Sequence, residues 1–493
     1  MLDASNKPDD SVFCSVDPRP VKPGRSRRRL WLRISGAVLA LAVAAVLLSI
    51  EGVDYQPYFR AQYYAKTSAD FQARSITNRV ISGELKAGFG RALLTPTLNA
   101  AQDEPAEGKF RAVPLAGYGD RKGRPAEGVH DDVWVKAVAI QVGEQRGVMI
   151  AADALIIPRE VAEAAVDSIK NKFGLAREQI YLGATHTHCS LGAWGQGMVA
   201  EAFAGPFQPG VRAWFASRIV AAAGAALADL KPASIGSGSF AAPELIRNRL
   251  VGQLGGADPQ FSFLVLKQNP GRVCVLGSFS AHATVLSGKV MEFSADYPGY
   301  WQRAVEETTG GIAVFFAGGV GSHSPVPGAG GFEGAERMGR SLADSVLGRL
   351  PQTALTNSIP FDVFGLNLAL PELHVRLNDG LRLRPWLANR LLPVKDMTFV
   401  QAFRLSNTIW ISTPCDFSGE LAVGVKETLA GRGFGAVITS FNGDYIGYVV
   451  PGRYYHLGGY EPRLMSFFGP TVPDYMDEWL RKIAFATTVD RRP

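Results

Sequence analysis

A chain of 493 residues with 47% hydrophobic side chains is long enough to bury a substantial core and too apolar to be read as disordered. Its net charge is +6, but much of the excess lies in the first 33 residues; the remainder is nearly balanced, which argues against nucleic acid as a partner. The four cysteines, Cys14, Cys189, Cys274 and Cys415, show no Cys-x-x-Cys spacing and no dense disulfide framework.

In chain order, the basic run "RPVKPGRSRRRLWLR" leads into "ISGAVLALAVAAVLLSI", an uncharged apolar stretch that spans a membrane if Leu30 to Leu32 are added. No clear Ala-x-Ala site follows, so an uncleaved signal anchor over 31–50 is expected rather than a cleaved signal peptide. Arginines on its N-terminal side place residues 1–30 as a basic cytoplasmic tail, with the bulk of the chain extracytoplasmic, periplasmic or extracellular. Cys14 then lies on the inner side and three cysteines on the outer, an odd number, and buried free thiols are expected.

Residues 51–85 mix aromatic and polar side chains at loosely helical spacing and read as a stalk. From Lys86 onward, strand-like runs such as "DVWVKAVAIQV", "GVMIAADALII", "QIYLGA", "RVCVLGSFSAHA" and "IAVFFAGG" alternate with helical ones such as "REVAEAAVDSIKNKFG". Several strands are consecutive, so the expected fold is α/β (α+β): one large domain over 86–493, with mixed sheets flanked by helices.

Only seven histidines are present, and two stand in "YLGATHTHCSLG" separated by one threonine. In extended backbone His186 and His188 share a face, which suits either one metal site or ordinary polar residues at a strand end. His282 and His323 also follow apolar runs, and strand ends are where α/β proteins build sites. A metallo-β-lactamase pattern fails because Ser190 and Leu191 stand where an aspartate and a histidine are needed. An amidohydrolase barrel fails because the pair comes after at least two strands, without the eightfold alternation.

The motifs together resemble those of the neutral, non-lysosomal ceramidases, zinc amidases that cleave the N-acyl bond of ceramide. "GATHTHCSLG" is similar to that family's Gly-Thr-His-Thr-His-Ser-Gly, "FSAHAT" to its Phe-x-x-His-x-Thr, and "AGGVGSHSP" to its small-residue loop ending in Ser-Pro. "IRNRL", "DFSGEL", "NGDYIGYVV" and "YYHLGGYE" follow in family order, and "AGFGRALLTP" and "PLAGYGDR" precede. The resemblance implies a zinc ion bound by His186, His282, Glu420 and Tyr448. It implies a carbonyl-side role for His188, amide orientation by Arg249 and Tyr460, and Ser324 as the family's nucleophile, either attacking directly or holding a zinc-bound water that attacks. Read without the family, Glu420 is an acidic residue favouring a helix N-terminus.

The implied partner is a ceramide-like lipid at a membrane surface, with membrane attachment through the N-terminal helix. Cys189, Ser190 and Leu191 replace the family's Ser-Gly-Pro, the family's acid beside Ser-Pro is not found at His323, and no C-terminal immunoglobulin-like domain is expected. These departures leave two alternatives beside ceramide hydrolysis: a zinc amidase or esterase for another N-acyl substrate, and a membrane-anchored binding relative.

Overall fold

Alternation of buried faces explains the strands. In Trp134–Val142, Val135, Ala137 and Ala139 pack into one apolar cluster with the helix Pro209–Ala228, while Val138, Ile140 and Val142 pack into another shared with Leu264, Val314 and Trp410. A strand buried on both faces reads as a nearly continuous apolar run, as it does here. Gly88 and Gly90 let the helix lie close against the sheet: a Cβ at either would stand 2.1 Å from the carbonyl oxygen of Ala226 or 2.4 Å from that of Ala222.

The computed structural model describes residues 25–392 and 394–489. The chain divides into two units, Met1–Glu51 and Gly52–Pro493. In the first, Arg25–Ser49 is one helix, and its segment Arg28–Ser49 is long and apolar enough to cross a membrane. Cys14 and the tail before Arg25 lie outside the described residues. The helix Pro209–Ala228 meets the same length and apolarity criterion, but half of it is buried in the core.

The large unit is mixed α/β. Its main sheet has twelve strands, running from Ile312–Ala317 through Val273–Phe279, Gln260–Gln268, Lys231–Ala241, Ile81–Leu93, Ser358–Ala369, Met397–Leu405 and Thr408–Ser412 to Gly435–Thr439. Trp134–Val142, Gln145–Ala152 and Ile180–Ala184 branch from the long Ile81–Leu93. Most neighbours are antiparallel, but three pairs are parallel: Gln145–Ala152 with Ile180–Ala184, Val273–Phe279 with Ile312–Ala317, and Thr408–Ser412 with Gly435–Thr439. Parallel neighbours need a crossover, supplied by the helices Arg159–Phe173, Asp296–Thr309 and Gly419–Ala430. The carboxyl ends of these strands, where loops are free to take any shape, position the site described below.

Residues 52–85 pack as part of this unit rather than as a free stalk. The helix Gln62–Thr77 lies against the helix Val472–Ala486: Tyr58 and Tyr64 donate to Glu478 at 2.7 Å each, and the Thr67 and Tyr475 hydroxyls meet at 2.7 Å. The aromatic residues that made this stretch resemble a stalk are the ones that dock it. Cys189, Cys274 and Cys415 are buried free thiols, as expected.

Candidate metal centre and apolar cavity

His186 and His188 leave the strand Ile180–Ala184, and His282 follows Val273–Phe279. The Nε2 atoms of His186 and His282 stand 2.8 Å apart, that of His188 lies 3.3 Å from that of His186, and one nitrogen from each ring fits within 4.8 Å of the others. Nδ1 of His186 donates to the Leu155 carbonyl at 2.7 Å and Nδ1 of His282 to that of Val320 at 3.0 Å. Those bonds fix both protons on Nδ1 and turn two bare Nε2 lone pairs toward each other, an arrangement that a cation stabilises. Burial drives His186 down to about 3, and holds His188 and His282 well below the usual histidine range, so all three rings are neutral.

His186 adopts a left-handed backbone, φ 63°, as do Ser322 at 66° and Phe441 at 63°. Three such non-glycine residues around one site hold strain of about 1–3 kcal/mol each. Phe441 stacks on the His186 ring at 4.0 Å, and Arg121, itself buried, donates to the carbonyls of Ala116, His188 and Val290 and to the Cys189 sulfur, bracketing the loop after the histidine pair.

A carboxylate completes the group, and it is that of Asp416. Its Oδ1 lies 3.7 Å from Nε2 of His186 and 3.6 Å from Nε2 of His282, and has no hydrogen-bond partner; its Oδ2 accepts from Tyr445 at 2.8 Å. Burial pushes this carboxyl up to about 7, against the lowering effect of the Tyr445 hydroxyl and of Arg249. The parallel two-residue ladder of Asp416–Phe417 with Tyr448–Val449 sets Tyr448 directly beside it.

Glu420 is not brought to the histidines. It lies in the first turn of the helix Gly419–Ala430, where its carboxylate accepts from Asn248 at 2.8 Å and from Tyr454 at 3.3 Å and pairs with Arg453. One helical turn separates it from Asp416, which still belongs to the strand ladder before the helix begins. The segment "DFSGEL" thus contributes its first acid, not its second, to this group.

The other expected residues fall into two sets. Arg249 donates to the Tyr448 hydroxyl at 3.0 Å and to Glu461 at 2.6 Å, and Tyr460 meets the Tyr448 ring edge-on at 5.7 Å. Ser324 is half-buried in the short strand His323–Pro325, opposite Arg247, and among the described residues no hydrogen bond links it to the histidines. The serine that enters the network is Ser322, donating to the second oxygen of Glu461 at 2.8 Å. Sequence reasoning missed Asp416, Ser322 and Glu461; an acid four residues after the strand Thr408–Ser412 was the available signal for Asp416.

His186, His188, Asp416, Tyr448 and Tyr460 sit on the wall of a cavity of about 260 Å³, whose remaining lining is mainly apolar and includes Leu155, Trp194, Phe203 and Phe467. Lone-pair donors gathered on the wall of an apolar pocket define a buried candidate metal site beside a ligand cavity.

Residues 105–325 match the family model described as neutral/alkaline non-lysosomal ceramidase, N-terminal. Over those residues this bears out the resemblance drawn from the motifs. Among solved structures, one described as neutral ceramidase from Pseudomonas aeruginosa is 19% identical with a TM-score of 0.67, covering 83% of this chain and 75% of its own. A second, described as a ceramidase complexed with C2, is 18% identical with a TM-score of 0.68, covering 83% and 76%. At that identity the shared property is the fold. No curated protein matches the chain.

Proposed function

We propose that this protein is a zinc-dependent hydrolase that cleaves the N-acyl amide bond of ceramide or a related N-acyl lipid, releasing a fatty acid and an amine. The observation that carries the reading is the convergence of two carbonyl-anchored imidazoles and a buried carboxylate with one unpartnered oxygen beside an apolar cavity. His186, His282 and Asp416 would hold the ion, with the Tyr448 phenol as a weaker fourth donor; two imidazoles and a carboxylate are an ordinary catalytic zinc set. Glu420 is set aside as a ligand in favour of Asp416. When bound, zinc supplies a Lewis acid that polarises the amide carbonyl and makes hydroxide available near neutral pH.

The chain's own groups do the rest. His188, whose Nδ1 has no hydrogen-bond partner, is free to take the tautomer that donates to the carbonyl oxygen as it becomes anionic. Arg249, fixed by Glu461, presents its guanidinium beside Tyr448, and Tyr460 stands at the cavity wall to orient the amide. Apolar side chains lining the cavity receive the acyl chain and exclude water. Ser324 retains the nucleophile role implied by the family, and Ser322 is the competing hydroxyl because it shares Glu461 with Arg249.

Metal analysis of the purified chain, combined with hydrolysis of a fluorescent ceramide with and without chelator and for His186→Ala, tests the reading. Absence of zinc sinks the site; zinc without hydrolysis sinks the substrate. A second reading, an amidase for a different N-acyl compound, is favoured by the charged Arg159, Glu160 and Lys395 on the cavity wall. Hydrolysis of N-acyl amines with charged head groups, but not of ceramide, would establish it. Retention of the Ser324→Ala variant's activity together with loss in Ser322→Ala would move the nucleophile.

A further inference from the structure

The cavity mouth carries more exposed apolar surface than a water-facing rim has reason to show. Met198, Leu391 and Tyr460 all border the cavity, yet they are 73%, 41% and 46% exposed. They come from three separate elements: the helix Met198–Ala204, the helix Pro385–Leu391 and the single π-helical turn Tyr460–Leu464. Two of these elements show a further large apolar side chain to solvent, Trp386 at 58% and Leu464 at 67%. Single exposed apolar residues are ordinary; several grouped around one opening mark an interaction surface.

Charge says which surface. Between Asp379 and Asp396 the chain has no acidic residue and four basic ones: Arg382, which is buried and paired with Glu372, and Arg384, Arg390 and Lys395. Arg390 and Lys395 are exposed, flanking Leu391. Tryptophan and leucine beside an exposed arginine on a short helix, with an exposed lysine shortly after it, suit a segment lying in the headgroup layer of an anionic membrane.

We propose that the helix Pro385–Leu391, with Met198 and the Tyr460–Leu464 turn, forms a lip that seats the cavity mouth in the headgroup layer of an anionic lipid surface, so that an acyl chain passes from bilayer to cavity without crossing water. The proposal rests on the N-acyl-lipid reading above but is measured without hydrolysis.

The full chain, with Cys14→Ser and Leu391→Cys, is labelled at position 391 with an environment-sensitive fluorophore and reconstituted in phosphatidylcholine vesicles with or without phosphatidylglycerol. Glu144→Cys, in an exposed hairpin turn, is the water-facing control. The expected result is a blue shift and quenching by acyl-chain-labelled lipid at 391 but not at 144, stronger with phosphatidylglycerol. Arg390→Glu with Lys395→Glu lowers the preference for anionic vesicles by about tenfold or more. Water-like emission at 391 in both vesicle types overturns the lip, and equal quenching in both overturns the anionic surface. Quenching without ceramide hydrolysis leaves the lip standing and sinks only the substrate.

Discussion

Replacing Asp416 by Asn separates the proposed ligand set most sharply. The side chain keeps its volume and its acceptor for Tyr445 but loses the anionic oxygen 3.6–3.7 Å from the two imidazole nitrogens. Loss of groups that merely support a ligand weakens metal binding by about 10–100-fold, and loss of a ligand costs at least as much. Zinc at 100 times its Kd stabilises the fold by about 2.7 kcal/mol, and a 100-fold weaker site retains about 0.4 kcal/mol. For a unit as large as residues 52–493, about 1 kcal/mol corresponds to ~1 °C, so a zinc-dependent rise in Tm of ~2–3 °C should nearly vanish. The metal-free variant should melt no lower than metal-free wild type, because burial already disfavours the ionised carboxyl in the fold. Differential scanning calorimetry with a zinc titration measures both. Wild-type zinc content and an intact zinc-dependent Tm rise in Asp416→Asn would refute the assignment.

Glu420→Gln should keep its zinc and lose no more than ~1 kcal/mol of stability, since its Arg453 partner is largely exposed; zinc loss by elemental analysis would restore the family-implied ligand. His188→Ala should retain zinc while kcat/KM falls about 10²–10³-fold; loss of metal instead would make it a ligand. Burial raises the Asp362 carboxyl to about 6 from its ordinary 3.8, so the native state holds the proton more tightly than the unfolded chain. The stability this contributes, up to about 3 kcal/mol, is full below pH 3.8 and lost as pH rises through 6, a slope that urea midpoints of Asp362→Asn should lack. Lys426→Met would leave Asp258 buried with only the Ser280 hydroxyl and a backbone N–H in place of its 2.7 Å ion pair, lowering urea-unfolding stability by about 3–5 kcal/mol. A loss below ~1 kcal/mol would mean the pair is screened.

Much of the fold is legible because periodicity is local. The runs around Trp134–Val142, Ile180–Ala184 and Ile312–Ala317 announce themselves by apolar content, and Arg159–Phe173 by its spacing and closing Gly174. The helix Gln62–Thr77 is harder to place, since its tyrosines state only that something must cover them. Glu478 and Tyr475, some four hundred residues away, are what they meet. Ser322 and Glu461 join one hydrogen bond across a similar absence of sequence signal.

The sequence by itself determined that this chain carries an apolar N-terminal helix, a mixed α/β unit and a paired-histidine motif at a strand end, because each depends on neighbours within a few residues. Which acid stands opposite those histidines was decided only by tertiary structure. Asp416 and Glu420 are four positions apart in one motif, but the first is held in a parallel ladder with Tyr448 and the second has entered a helix. That difference turns one carboxylate toward the imidazoles and the other toward Asn248 and Arg453. Composition and spacing are the same on either outcome; direction in space is fixed by what each backbone pairs with.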